Sequence, residues 1–194
     1  MLDLKDKNIG FAMCGSFCTF KKAVAVLEEL CKTGANVIPI MSDISYTTDT
    51  RFGKADDFKN KIRNLCNNDI IHTVDGAEPI GPKALLDLLV IMPCTGNTLA
   101  KLNSGIADTS VTMAAKAHLR NARPVIIAVS TNDALANAAK NIGSLMNARN
   151  IYFLPLRQDD CIKKPTSVVA DFDKLIPAIE AALSKRQFQP ILEM

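Results

Sequence analysis

The sequence contains no tryptophan, and aromatic residues make up 5% of its 194 positions. That excludes a surface built to stack successive nucleobases on aromatic rings. No charge of one sign dominates. Lys and Arg number 23 against 20 Asp and Glu, for a net charge of +3. The broad electrostatic footprint of a nucleic-acid or anionic-lipid binder is therefore excluded, and only a mild preference for anionic ligands remains. Apolar runs such as residues 88–92 are far too short to cross a bilayer. Residues 1–7 carry mixed charge and no apolar signal core, which predicts a cytoplasmic protein. The Gly-x-Gly-x-x-Gly dinucleotide pattern, the P-loop, His-Glu-x-x-His and paired catalytic carboxylates are all missing. Cys14 and Cys18 have C-x3-C spacing, but no second Cys/His pair completes a zinc site, so no metal is expected. The six cysteines are read as reduced, most of them small core residues.

What is present is enough apolar material, 48% of the chain, to fill a core and exclude intrinsic disorder. The length suits a single domain over 1–194. Six short apolar runs read as strands covered on both faces: residues 8–13, 36–41, 70–74, 88–92, 124–129 and 151–154. Helical patterns lie between them. Phe20, Val24, Leu27 and Cys31 share one face, with Thr19 as N-cap and Gly34 as the stop. Phe58, Ile62 and Leu65 mark a second helix, with Lys59, Lys61 and Arg63 solvated. Later helices are predicted over 114–119, 134–146 and 172–183, the last capped by Asp171. This alternation predicts an α/β fold: one doubly wound, mostly parallel six-stranded sheet flanked by helices, Rossmann-like in type. Pro39 removes a ladder donor from the second strand and requires a short or absent neighbour on that side. Residues 74–85, with two Gly and two Pro in 75–82, predict a shaped loop.

Ligands of such folds bind at the carboxyl ends of the strands. The first strand is followed by Gly15 and Ser16, where the backbone can approach a ligand and a helix N-terminus favours phosphate. Ser42 follows the second strand and offers a hydroxyl. Thr95, Gly96, Asn97 and Thr98 follow the fourth predicted strand, and supply several donors around a position without side-chain bulk. A helix is expected to start directly afterwards. Ser130, Thr131, Asn132 and Asp133 follow the fifth; one of them serves as an N-cap and the others are free to face a ligand. Ordinary turns and caps are the alternative reading at each place. Thr-Gly-Asn-Thr resembles the phosphate loop of flavodoxins, but there it follows the first strand, which argues against a flavodoxin. His72 and His118 are read as structural.

These loops together resemble the homo-oligomeric flavin-containing cysteine decarboxylase superfamily. Its Pro-x-Ser-Ala-Asn-Thr signature appears as Pro93-Cys94-Thr95-Gly96-Asn97-Thr98, continuing into Gly105-Ile106-Ala107-Asp108. Within the superfamily this signature, the Glu78-Pro79-Ile80-Gly81-Pro82 stretch and residues 113–124 resemble a branch of synthase subunits for pyridine-2,6-dicarboxylate. The decarboxylases' Pro-x-Met-Asn-x-x-Met-Trp motif is retained here only as Asn132, and His72 is the sole neighbour of the signature that could match their active-site His. Both departures argue against cysteine decarboxylation. The resemblance implies an FMN-binding subunit that helps oxidise a dihydropyridine dicarboxylate during spore formation, in the mother cell. It further implies a partner subunit that uses NAD(P), and a homo-oligomer of three or more copies. Glu78 is the candidate base, and Asn132 is a candidate carboxylate contact. Lys163 and Lys164 are further candidates for the dicarboxylate. A non-catalytic scaffold with a vestigial flavin pocket, or a decarboxylase of altered substrate, remains the alternative.

Overall fold

The computed structural model describes residues 4–193; residues 1–3 of the mixed-charge opening segment lie outside the described residues. Alternating β and α elements run from β1 (Asn8–Met13) through α1 (Phe20–Lys32), β2 (Asn36–Met41), α2 (Asp43–Thr47), α3 (Ala55–Cys66) and α4 (Val74–Ala77). They continue with β3 (Leu88–Cys94), α5 (Gly96–Asn103), α6 (Ser110–Leu119), β4 (Val125–Thr131), α7 (Ala139–Met146) and β5 (Ile151–Phe153). The chain closes with β6 (Gln158–Asp160), β7 (Lys164–Val169) and α8 (Leu175–Leu183). The sheet runs β2-β1-β3-β4 in parallel. Beyond β4 the neighbour changes along its length. Parallel β5 pairs with Val125, Ile126 and Ile127, and antiparallel β7 pairs with Ser130 and Thr131.

Every residue of β3 is buried, because helices cover both faces of the sheet. Alternate residues go to opposite cores. Leu88, Val90 and Met92 join Phe11, Leu27 and Ile179 on one face, and Leu89 and Ile91 join Leu99, Val111 and Leu145 on the other. Helix α1 forms as its spacing predicts, and Gly34 follows it at φ +83°, a left-handed position open to glycine. Pro39 is accommodated because its side of β2 meets only Ile71. Ile71 N donates to Pro39 O (3.0 Å) and Met41 N to Ile71 O (2.9 Å), and the pairing goes no further.

The structure corrects several expectations. Residues 70–74 form no strand. Only Ile71 bridges to the sheet, and Thr73 then caps α4, its Oγ1 accepting from Gly76 N at 3.2 Å. Residues 74–85 are more regular than a loop. Helix α4 is followed by a 3-10 turn, Glu78–Ile80, which Pro79 favours by presetting φ in a first turn. Gly81 is needed there because a Cβ would lie 2.7 Å from Ala117 O. The helix expected over 134–146 begins only at Ala139, since Leu135 N is drawn into a hydrogen bond with Thr166 O of β7. The sheet has seven strands rather than six: β6 and β7, too polar to show as apolar runs, are held by antiparallel pairing.

His118 is fully buried on α6. Its Nε2–H donates to Pro124 O (3.0 Å), while Nδ1 has no hydrogen-bond partner among the described residues. Burial, and secondarily Arg123, lowers its pKa to about 4. Protonation therefore costs more in the folded chain than in the unfolded one, and stability should fall as pH drops from about 6.5 to about 4. The full effect is about 3 kcal/mol. His118→Gln keeps a donor but cannot titrate. The stability difference between wild type and His118→Gln, read by urea unfolding, should change across that window and be flat above pH 7.

Candidate functional site

Strand β1 ends beside β3. Cys14 N donates to Pro93 O (3.2 Å), so the turns after the two strands are joined at their first residues. Between β1 and α1 lie Gly15, Ser16 and a 3-10 turn, Phe17–Thr19. Ser16 Oγ lies 2.9 Å from Ser130 Oγ at the end of β4, and Thr19 Oγ1 lies 3.2 Å from the same oxygen while donating to Ser16 O. Three hydroxyls thus meet where α1 begins, and the first turn of α1 carries no acidic residue to oppose an anion. After β3, Thr95 caps α5 by accepting from Thr98 N (3.3 Å). Gly96 sits against the end of β4, where a Cβ would come within 2.8 Å of Asp133 Oδ1 and 2.9 Å of Thr131 Oγ1. Thr131 Oγ1 donates to Asp133 Oδ1 at 2.6 Å.

These ends border a cleft of about 580 Å³, within the range of ~300–1,000 Å³ typical of small-molecule sites. Gly15, Ser16, Thr95, Ser130, Thr131 and Asn132 all line it. The β6–β7 hairpin supplies a wall, on which Lys164 Nζ pairs with Asp159 Oδ2 at 2.7 Å; the carboxylate raises the lysine's pKa. Arg51 and Phe52 supply the rim.

Other predicted residues lie elsewhere. Thr98 is buried and donates to Cys14 Sγ (3.2 Å), so it ties the two turns together from behind. Ser42 is buried too. Its Oγ is 2.9 Å from Ser45 Oγ, which in turn donates to Met13 O (3.0 Å). Neither lines the cleft. Asn97 is exposed on the first turn of α5, outside the lining. Glu78 is exposed on its 3-10 turn, in the segment packed on α6, and is not brought to the cleft. His72 stacks on Tyr46, ring centroids 3.8 Å apart and planes 13° from parallel. Lys163 is exposed in the hairpin turn, while its neighbour Lys164 reaches the lining. The cysteines are free thiols, and burial pushes Cys14 up to about 11 and Cys94 well above the usual range, which leaves both neutral and unreactive behind the site. Sequence reasoning misses Phe17, Cys18, Arg51, Phe52, Asp159, Ser167 and Val169 of the lining, and among these Arg51 is the cation. Its only signal is a cation and an aromatic set in the polar Thr50-Arg51-Phe52-Gly53 turn.

A model of the Flavoprotein family matches residues 2–184, and the chain belongs to that family. Within it, the chain is 46% identical over 192 residues to the dipicolinate synthase B subunit of Bacillus subtilis (strain 168), covering 99% of this chain and 96% of that one. The crystal structure of the dipicolinate synthase B subunit from Bacillus halodurans superimposes with a TM-score of 0.92 at 42% identity, covering 100% of this chain and 99% of that one. The FMN-dependent cysteine decarboxylase SpaF shares the fold, at 22% identity and a TM-score of 0.70 over 94% of this chain and 98% of that one. Among the described residues no helix is long and apolar enough to cross a membrane, and no cluster of His, Cys, Asp and Glu is placed to hold a metal.

Gly96→Ala should destabilise the chain by about 1–3 kcal/mol, since the added methyl meets Asp133 and Thr131. Removing the obstacle with Asp133→Ala should make the double variant less destabilised than the sum of the singles, as read by urea unfolding.

Proposed function

We propose that this chain works as the flavin-binding component of a dipicolinate synthase, holding FMN in the cleft and helping to oxidise a dihydropyridine dicarboxylate to pyridine-2,6-dicarboxylate. The observation that carries this reading is the meeting of Ser16, Thr95 and Ser130 at one cleft, in a chain related end to end to a dipicolinate synthase B subunit. The residues fit the group. The Ser16–Ser130–Thr19 hydroxyls and the start of α1 suit an anionic tail, and Asp159, the carboxylate among the described lining residues, is paired with Lys164.

Aromatisation of the substrate ring requires removal of a hydride and a proton. FMN, when bound, supplies a ring able to accept the hydride. The chain's own part is to bind and orient. Ser16 and Ser130 would hold the anionic end of the cofactor, Thr95 and Thr131 would line the space left for its ring, and Asn132 would meet a substrate carboxylate. Asn97, exposed, belongs to the cofactor set only if it reaches across from α5. The proton needs a base; the carboxyl among the described lining residues, Asp159, is paired with Lys164, and Asp133, next to the lining residue Asn132, accepts from Thr131. Glu78 as base would have to act from outside this cleft. This favours a shared reaction, in which an A subunit using NAD(P) contributes the missing groups; the relationship to the dipicolinate synthase B subunit supports a homo-oligomer working in the mother cell. The same absence of a free base favours the second reading, a scaffold that keeps a flavin pocket without turning over.

Ser130→Ala should weaken FMN by about 1 kcal/mol, roughly fivefold, in a fluorescence titration. Reconstitution with the A subunit should restore NAD(P)-linked formation of pyridine-2,6-dicarboxylate, followed by ultraviolet absorbance, and Glu78→Gln should leave that rate unchanged. Full turnover by the A subunit alone would leave the scaffold reading.

A further inference from the structure

The cleft rim holds a cation that stands apart from the cofactor set. Residues 50–53 form a tight turn. Thr50 and Gly53 exchange two backbone hydrogen bonds, each 3.1 Å, and Phe52 N donates to Thr50 Oγ1 (3.2 Å). The base of the turn is fixed on both sides. Asp49 Oδ1 accepts from Ala55 N (2.8 Å), and Gly53 lies so close to Phe58 that a Cβ would come within 2.7 Å of its ring. Phe52 is wedged between the cleft and a neighbouring hollow of about 460 Å³ that Phe58 also lines. Arg51 is thus displayed from a rigid mount, with its guanidinium carbon 4.9 Å from the centre of the Phe52 ring.

The balance of charge makes this arginine stand out. The charged residues lining the cleft are Arg51, Lys164 and Asp159. Lys164 and Asp159 neutralise each other at 2.7 Å. No carboxylate pairs with Arg51 among the described residues, and the nearest acid in sequence, Asp49, is engaged by Ala55 N. One unit of positive charge is left over, at the exposed mouth of the cleft. Stacked on Phe52, the guanidinium keeps its fork of N–H donors for a planar oxyanion, the geometry for which arginine is suited and lysine is not.

Resting on the flavin reading above, we propose that Arg51 selects the substrate by binding one of its carboxylates. The alternative source of an oxyanion is the phosphate of the cofactor. Position decides between them. The hydroxyl cluster and the start of α1 already offer a phosphate partly buried donors, whereas Arg51 stands at the exposed rim, where an exchanging ligand enters.

The test titrates pyridine-2,6-dicarboxylate, free of metal, into the purified full chain with and without FMN, and titrates FMN separately, for wild type, Arg51→Gln and Arg51→Lys. The dicarboxylate should bind wild type and weaken about 10- to 100-fold in Arg51→Gln, as expected for a lost charged hydrogen-bond pair. Arg51→Lys should recover only part of that loss, and FMN affinity should stay within about twofold in both. The thermal unfolding midpoint should not move, since the side chain is exposed. Wild type that binds FMN but not the dicarboxylate overturns the proposal, as does equal dicarboxylate binding by Arg51→Gln. Weakened FMN with unchanged dicarboxylate binding assigns Arg51 to the phosphate and overturns it too. Failure of wild type to take up FMN counts against the flavin reading instead, and the titration without FMN still decides the role of Arg51.

Discussion

The structure depends on β1 and β3 lying side by side and ending together. They are neighbours in the sheet but separated by α1, β2 and further helices in sequence. Parallel pairing of buried strands leaves their carboxyl ends as the place where the chain turns outward with polar groups unmet. Here Cys14 N and Pro93 O join the two turns, and Thr98 Oγ1 reaches Cys14 Sγ across 84 residues of sequence. With the ends locked, Ser16 and Thr95 can only face the same cleft. On the other flank, β4 brings Ser130 and Thr131 to the same level, and Gly96 lets the two walls approach to contact distance. The site is thus a consequence of strand order, with side chains added at positions that the sheet has already aligned.

The same locking explains which parts could be read from the sequence. Continuous apolar runs such as 8–13 and 36–41 became β1 and β2 without change of boundary, because a strand covered on both faces has no polar positions to obscure it. The signal failed where pairing, not burial, makes the strand. Residues 164–169 begin Lys-Pro-Thr-Ser and form β7 only because the end of β4 and β6 offer ladder partners. It failed in the opposite sense at 70–74, where two isoleucines suggested a strand but Thr73 and Gly76 close a helical turn. Both misreadings concern interactions between segments distant in sequence or settled by a single cap, and neither leaves a periodic trace.

The site was legible in the same measure. Residues placed directly at strand ends, Gly15, Ser16, Thr95, Ser130 and Thr131, converge as their position demands. Ser42 and Thr98 have the right chemistry but are consumed inward, because a hydroxyl that follows a buried strand must satisfy the carbonyls and thiols around it before it can serve a ligand. Arg51 was missed for the converse reason. It follows no strand, and enters the cleft through a turn whose position is set by Phe52 and Gly53 packing around Phe58.

Under the proposed function, the charges favour a division of labour. A chain that carried out the whole oxidation would need a base free to take a proton beside the ring being oxidised. The acids nearest this cleft are instead committed: Asp159 to Lys164 and Ser167, Asp133 to Thr131. Freeing either would cost the wall it supports, since Asp159 braces the β6–β7 hairpin and Asp133 braces the end of β4 against Gly96. Under the proposed function, the cleft therefore serves to hold its ligands between braced walls. Under the proposed function, the remaining chemistry would come to this cleft from a second protein. Binding and orientation on one chain, proton removal on another, is the arrangement that these committed carboxylates favour.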